Sequence, residues 1–207
     1  AQLYESIIQD HRGLGHPAVR EAARRLARTG VEVIELPVGR DGRLEAAAFE
    51  AALTPGTSLV SAMWVNNETG AIWDIPAIAS LANQHGIPVH SDAVAAFGHT
   101  EISFKGSGLA AMSISGHKLG APIGVGALIV SRNQKPISLI HGGGQERGLR
   151  SGTMNYPHAM SLAKASPCPF AFNGSPGVRG PGSCRVVPAL SGAAPAGEAC
   201  LTRAHVP

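Results

Sequence analysis

Apolar residues recur along this chain with two periods, and each change of period marks an element. Over residues 17–29, Val19, Ala22, Ala23 and Leu26 return to one side at helical spacing, while Arg20, Arg24, Arg25 and Arg28 populate the other. Pro17 in the first turn and Gly30 after the last complete the signature of an amphipathic helix with a solvated basic face. Residues 31–38 predict a strand, Arg40-Asp41-Gly42 a turn, and residues 44–53 a short helix. The run 58–65 is apolar and β-rich on both alternating faces, as in a strand buried in a parallel sheet. A helix over 76–85, stopped by Gly86, and a strand over 87–91 complete a βαβ unit. Two more strands are predicted at 109–114 and 125–130. The fold class is α/β, a mainly parallel sheet flanked by helices, and ligands of such sheets gather at the carboxyl ends of the strands.

The pattern stops near Ser166. Residues 166–207 hold seven prolines and six glycines without apolar periodicity, and they predict a disordered tail behind a folded domain spanning 1–165. The 207 residues are 44% hydrophobic, enough for a sizeable core. A net charge of +3 with 4% aromatics argues against a nucleic-acid platform. No apolar run reaches the roughly 18 residues of a membrane span, and the start of the chain lacks a signal-peptide pattern. The three cysteines, Cys168, Cys184 and Cys200, form neither a CxxC pair nor an even disulfide framework, which makes a reducing cytoplasm the expected compartment.

Four segments hold candidate chemistry, the first three at the ends of predicted strands. Asn66-Asn67-Glu68-Thr69-Gly70 is either a turn or a cluster of ligand-binding amides. In His90-Ser91-Asp92-Ala93 the His and Asp are two apart and face one way; they are half a metal site without further ligands at usual spacing, or a strand-end cap. In Ser113-Ile114-Ser115-Gly116-His117-Lys118 a lysine lies among small residues at a strand end, where a Schiff-base amine could meet a planar cofactor. The loop His141-Gly142-Gly143-Gly144-Gln145-Glu146-Arg147, with Arg150-Ser151-Gly152-Thr153 behind it, can cradle a phosphate but lacks the ending of a Walker A loop. Taken together, a carboxylate at Asp92 and an amine at Lys118 suit pyridoxal 5′-phosphate (PLP): the amine attaches the cofactor and the carboxylate keeps its ring nitrogen protonated.

The ordered set NNETG, HSDA, SGHK and GGGQERGLRSGT resembles the cysteine desulfurases of the class V aminotransferase family, PLP enzymes of fold type I, over residues 14–165. Selenocysteine lyases share that branch. The resemblance implies that Lys118 carries PLP and then moves the proton at the substrate Cα. It implies that Asp92 pairs with the pyridine nitrogen and Asn67 bonds the phenolic oxygen, and that Ser115 and His117 hold the phosphate. His16, in GHPAV, would stack on the ring and take part in acid–base steps; read from the residues alone it is a turn residue before a helix. Thr153 would reach the phosphate of the partner subunit, which implies a homodimer. The implied reaction converts L-cysteine to L-alanine and passes sulfur as a persulfide to an acceptor such as an iron–sulfur scaffold.

The sequence also departs from the family pattern. Ala95 stands where a glutamine is usual and Gly15 where an acidic residue is usual. The upstream phosphate-binding GGTE turn and the small domain, with its sulfur-accepting cysteine and substrate-clamping arginine, have no counterpart here. The chain therefore looks truncated at both ends. Cys184 and Cys200 fall in the tail, outside the region of resemblance.

Overall fold

Residues 5–9, 16–39, 44–166 and 200–205 are described by the structure, a computed structural model. They form two compact units: Ala1–Ala96 with Ile102–Ala110, and Phe97–Glu101 with Ala111–Pro207.

The first unit is a parallel α/β sheet. Its strands are β1 (Glu5–Gln9), β2 (Glu32–Leu36), β3 (Thr57–Met63) and β4 (Val89–Asp92), in the order β2-β1-β3-β4. All three pairings are parallel, with Ile7 opposite both Ile34 and Val60, and Val60 opposite Val89. Helices α1 (Pro17–Ala27), α2 (Ala46–Ala52) and α3 (Ile75–Gln84) make the connections. The chain thus moves outward from β1 in one direction and returns to build β3 and β4 on the other side, the topology that leaves a crevice at the strand carboxyl ends.

Proline sets two strand boundaries. Pro37 has no N–H to give, so β2 ends at Leu36 and Val38 makes only an isolated bridge to Leu44. Pro88 likewise delays β4 to Val89. Pro17 and Asp74 open their helices: Pro17 is at the first turn of α1, and the Asp74 carboxylate accepts from Ala77 N at 3.1 Å to cap α3. The core is built by Val60, Ala62, Trp64, Ile75, Ala79, Ala82 and Val89, and small alanines on α3 allow close helix–sheet approach.

The second unit pairs β5 (Ala111–Ser115) with β6 (Val125–Val130) antiparallel, Ile114 opposite Ala127. A single 3-10 turn, Gly116–Leu119, follows β5 directly. Helix α4 (Tyr156–Ala165), capped by Asn155 Oδ1 accepting from His158 N at 3.2 Å, packs on β6 and on that turn. Met112, Ile114, Ala127, Val130 and Leu162 form the core. One further strand, β7 (Cys200–His205), lies antiparallel to β6 within the stretch expected to be disordered throughout; residues 167–199 of that stretch, with Cys168 and Cys184, lie outside the described residues. Among the described residues, no helix is long and apolar enough to cross a membrane.

Candidate functional site

In the first unit the chemistry-bearing residues stand where β3 and β4 end. Past Met63 the chain stays beside β4, with Trp64 N donating to Asp92 O at 2.9 Å, then folds into a turn closed by a bridge between Val65 and Ile72. Asn66 builds that turn: its Oδ1 accepts from Glu68 N at 2.9 Å, Thr69 N at 2.8 Å and Thr69 Oγ1 at 3.0 Å. Gly70, at φ 72°, completes it. Asn67 is left exposed at the tip.

On β4, His90 and Asp92 share a face, opposite Ser61 and Met63 of β3. The Ser61 hydroxyl lies 2.9 Å from His90 Nδ1. Asp92 is buried, and one carboxylate oxygen accepts from Val94 N at 3.0 Å, which holds the chain as it leaves the strand. The other oxygen keeps its acceptor capacity. Burial pushes the His90 imidazole below its ordinary 6.5, against the smaller opposing pull of the Asp92 carboxylate. Desolvation wins, and the fold favours the uncharged imidazole.

A measurable consequence follows for stability. Because the folded pKa lies below the unfolded one, the unfolded chain takes up a proton on this residue first as pH falls below about 6.5. The urea midpoint is therefore expected to drop between pH 7.5 and pH 5, and to drop less in His90→Gln. Identical pH slopes in the two proteins would show that His90 does not titrate differently in the fold.

His16 lies at the start of α1, where its Nδ1 accepts from Ala18 N at 3.2 Å and the side chain is exposed. The structure thus gives this imidazole a capping contact, as its position before Pro17 suggests.

In the second unit, β5 ends at Ser115 and the turn that follows it carries His117 and Lys118. Ser115 Oγ and His117 Nδ1 are 2.7 Å apart, while His117 and Lys118 are exposed. Two glycines shape the turn for different reasons. Gly120 adopts φ 81°, a left-handed conformation that ends it. Gly116 has an ordinary conformation but no room: a Cβ there would lie 2.6 Å from Val125 Cγ1 and 3.0 Å from Ala121 Cβ. His99, from the segment 97–101 of this same unit, places Nε2 at 3.1 Å from the Lys118 carbonyl oxygen.

The glycine-rich loop folds back on itself. Ser151 N donates to Ile140 O at 3.1 Å and Gly152 N to Gln145 Oε1 at 3.0 Å, and Glu146 and Arg147 sit at φ 49° and 60°. Thr153 is exposed where the loop runs into α4. The predicted residues thus fall into two groups, Asn67 and Asp92 at adjoining strand ends of one unit, with His16 at a helix start, and Ser115, His117 and Lys118 on one turn of the other, with Thr153 at a loop end. Sequence reasoning did not single out Ser61, the turn-building Asn66 or His99. Asn66 stood inside a motif it did mark, whereas His99 belongs to no recognisable pattern. Among the described residues, no group of three or more His, Cys, Asp or Glu is placed to hold a metal ion.

The aminotransferase class-V family model matches residues 8–168. The chain belongs to the class-V aminotransferase family. Within it, the chain is 44% identical over 154 residues to an IscS-like cysteine desulfurase of Mycobacterium tuberculosis, covering 73% of this chain and 39% of that protein. It is 43% identical over 151 residues to the cysteine desulfurase NifS of Azotobacter vinelandii, covering 73% and 38%. Among solved structures it is similar to SspA in complex with cysteine, with a TM-score of 0.75 and 35% identity over 80% of this chain and 47% of that one. A NifS-like protein matches with a TM-score of 0.75 and 34% identity, over 79% and 45%. The chain thus spans about two-fifths of the length of these curated class-V relatives.

Proposed function

We propose that this chain supplies the PLP-binding core of a cysteine desulfurase whose substrate is L-cysteine and whose products are L-alanine and a sulfur atom carried as a persulfide to an acceptor such as an iron–sulfur scaffold. The observation that carries the reading is the turn at Gly116–Leu119: an exposed lysine amine beside a paired hydroxyl and imidazole, at the end of a strand, in a class-V chain.

The donor set fits the cofactor. Ser115 and His117 offer a hydroxyl and a ring N–H for phosphate oxygens. Asp92 offers a buried carboxylate with an oxygen to spare for a protonated ring nitrogen. Lys118 offers an amine that is both nucleophile and base. When bound, PLP supplies an electron-withdrawing ring that acidifies the substrate Cα. Lys118 Nζ would attach the cofactor and carry the Cα proton, and Asp92 would keep the ring nitrogen protonated. Asn67 would bond the phenolic oxygen, where Ala95 offers no second donor. His16 would contact the ring and take part in acid–base steps. Thr153 would serve the partner subunit's phosphate in a homodimer. The cysteine usage supports a cytoplasmic location.

The test is a PLP titration of the full chain. The expected result is a saturable visible absorption band and, after borohydride reduction, a mass addition on the peptide holding Lys118. Equal labelling of Lys105, Lys135 and Lys164 would reject the reading.

A further inference from the structure

The lysine has four rotatable side-chain bonds, so the turn can direct it only by fixing the peptide from which it springs. The end of a 3-10 turn leaves carbonyls without backbone partners. Here Gly120 N and Ala121 N, the donors that follow the turn, both go to Gly116 O. The Lys118 carbonyl is met instead by His99 Nε2 at 3.1 Å. A carbonyl only accepts, so the ring nitrogen donates, and this assigns the proton to Nε2. His99 is itself held on a small tight turn: Gly98 takes φ 87°, and Phe97 and Thr100 bridge across it. The imidazole is therefore presented from a constrained loop tip rather than from a free tail.

We propose that His99 is a positioning residue for Lys118, fixing the lysine's peptide plane through the Nε2–H bond so that the amine starts from one backbone orientation. His99 does not touch the cofactor or the substrate in this assignment; it acts only through Lys118. The inference rests on the reading that Lys118 takes up PLP.

The experiment measures the rate of covalent PLP uptake by the cofactor-free full chain in four proteins: wild type, His99→Ala, His99→Gln and Lys118→Ala. Urea midpoints are recorded alongside. Glutamine can return an N–H donor near the same place, and alanine cannot. One lost hydrogen bond of ordinary strength corresponds to roughly a three- to tenfold effect. His99→Ala is thus expected to slow uptake by about that factor at urea-free conditions far from its midpoint, with His99→Gln recovering most of the rate. Uptake in His99→Ala equal to wild type, even with a lowered urea midpoint, would reduce His99 to a structural contact and overturn the proposal. Equal slowing in the Ala and Gln variants would overturn it too, because the donor would then not be the cause. If wild type and Lys118→Ala are indistinguishable, the reading of Lys118 itself fails and the assignment of His99 falls with it.

Discussion

Lys118→Ala is expected to abolish covalent PLP uptake while leaving the urea midpoint of the chain almost unchanged. The side chain is exposed and projects from a turn that is held by backbone bonds, by Gly116 and by His99, so truncating it removes no buried surface. Substitutions of that kind shift stability by roughly 0.5 kcal/mol or less. The loss is therefore one of chemistry, not of folding. Lys118→Arg separates the two things a lysine offers. Arginine keeps the positive charge beside Ser115 and His117 but is never deprotonated, so it cannot act as the nucleophile. It should retain weak, reversible PLP binding and form no borohydride-stable adduct. Lys105, Lys135 and Lys164 remain in every variant as internal controls. Formation of L-alanine from L-cysteine, where wild type shows it, should fall to background in both variants. A visible band of wild-type intensity in Lys118→Ala would sink the assignment.

The parts of the fold written in local chemistry were legible. The amphipathic helix after His16, the buried strand β3 and the βαβ unit of β3, α3 and β4 follow from apolar period and from Pro and Gly punctuation. Strand ends were less legible, because backbone pairing decides them: β5 runs to Ser115, where Gly126 of β6 still pairs with it, so Ser115 is both strand end and turn start. Helix α4 carried readable signals, an Asn cap with Pro157 in its first turn, but lies behind a long glycine-rich stretch that suggests loop. Strands β1 and β7 offer only five and six residues and depend on partners distant in sequence.

The site divides in the same way. Asp92 and Lys118 stand out because a carboxylate and an amine at strand ends are chemically conspicuous. In the sequence His90 reads as half a metal site or part of a strand end, whereas the fold gives it a serine partner and a burial that lowers its pKa. Asn66 and Asn67 are identical in type, and only the fold shows that the first organises the turn while the second stays exposed. His99 is 19 residues from Lys118, with no spacing rule to connect them; the contact exists only because the turn at Gly98 points it there.

Gly116→Ala is expected to destabilise the chain by about 1–3 kcal/mol, the usual range for overpacking a filled site. The cause is steric rather than conformational, since Gly116 has no positive φ. An added Cβ meets Val125 Cγ1 at 2.6 Å, Ala121 Cβ at 3.0 Å and Val125 O at 3.2 Å. Val125 sits in β6, where its β-branched side chain has little rotamer freedom and its carbonyl is fixed by the strand. Relief must therefore come from shifting the turn, and the turn carries His117 and Lys118. The same substitution is accordingly expected to weaken PLP uptake more than its effect on the urea midpoint explains. A double-mutant cycle isolates the contact: Val125→Ala removes the methyl that clashes, so G116A/V125A should be more stable than the sum of the two single losses predicts, by about 1 kcal/mol. Strict additivity would place the clash elsewhere. Gly120→Ala provides the contrast, because nothing lies within 4 Å of a Cβ there and only its φ of 81° resists a side chain. No change at Val125 should rescue that variant, since its cost lies in its own backbone.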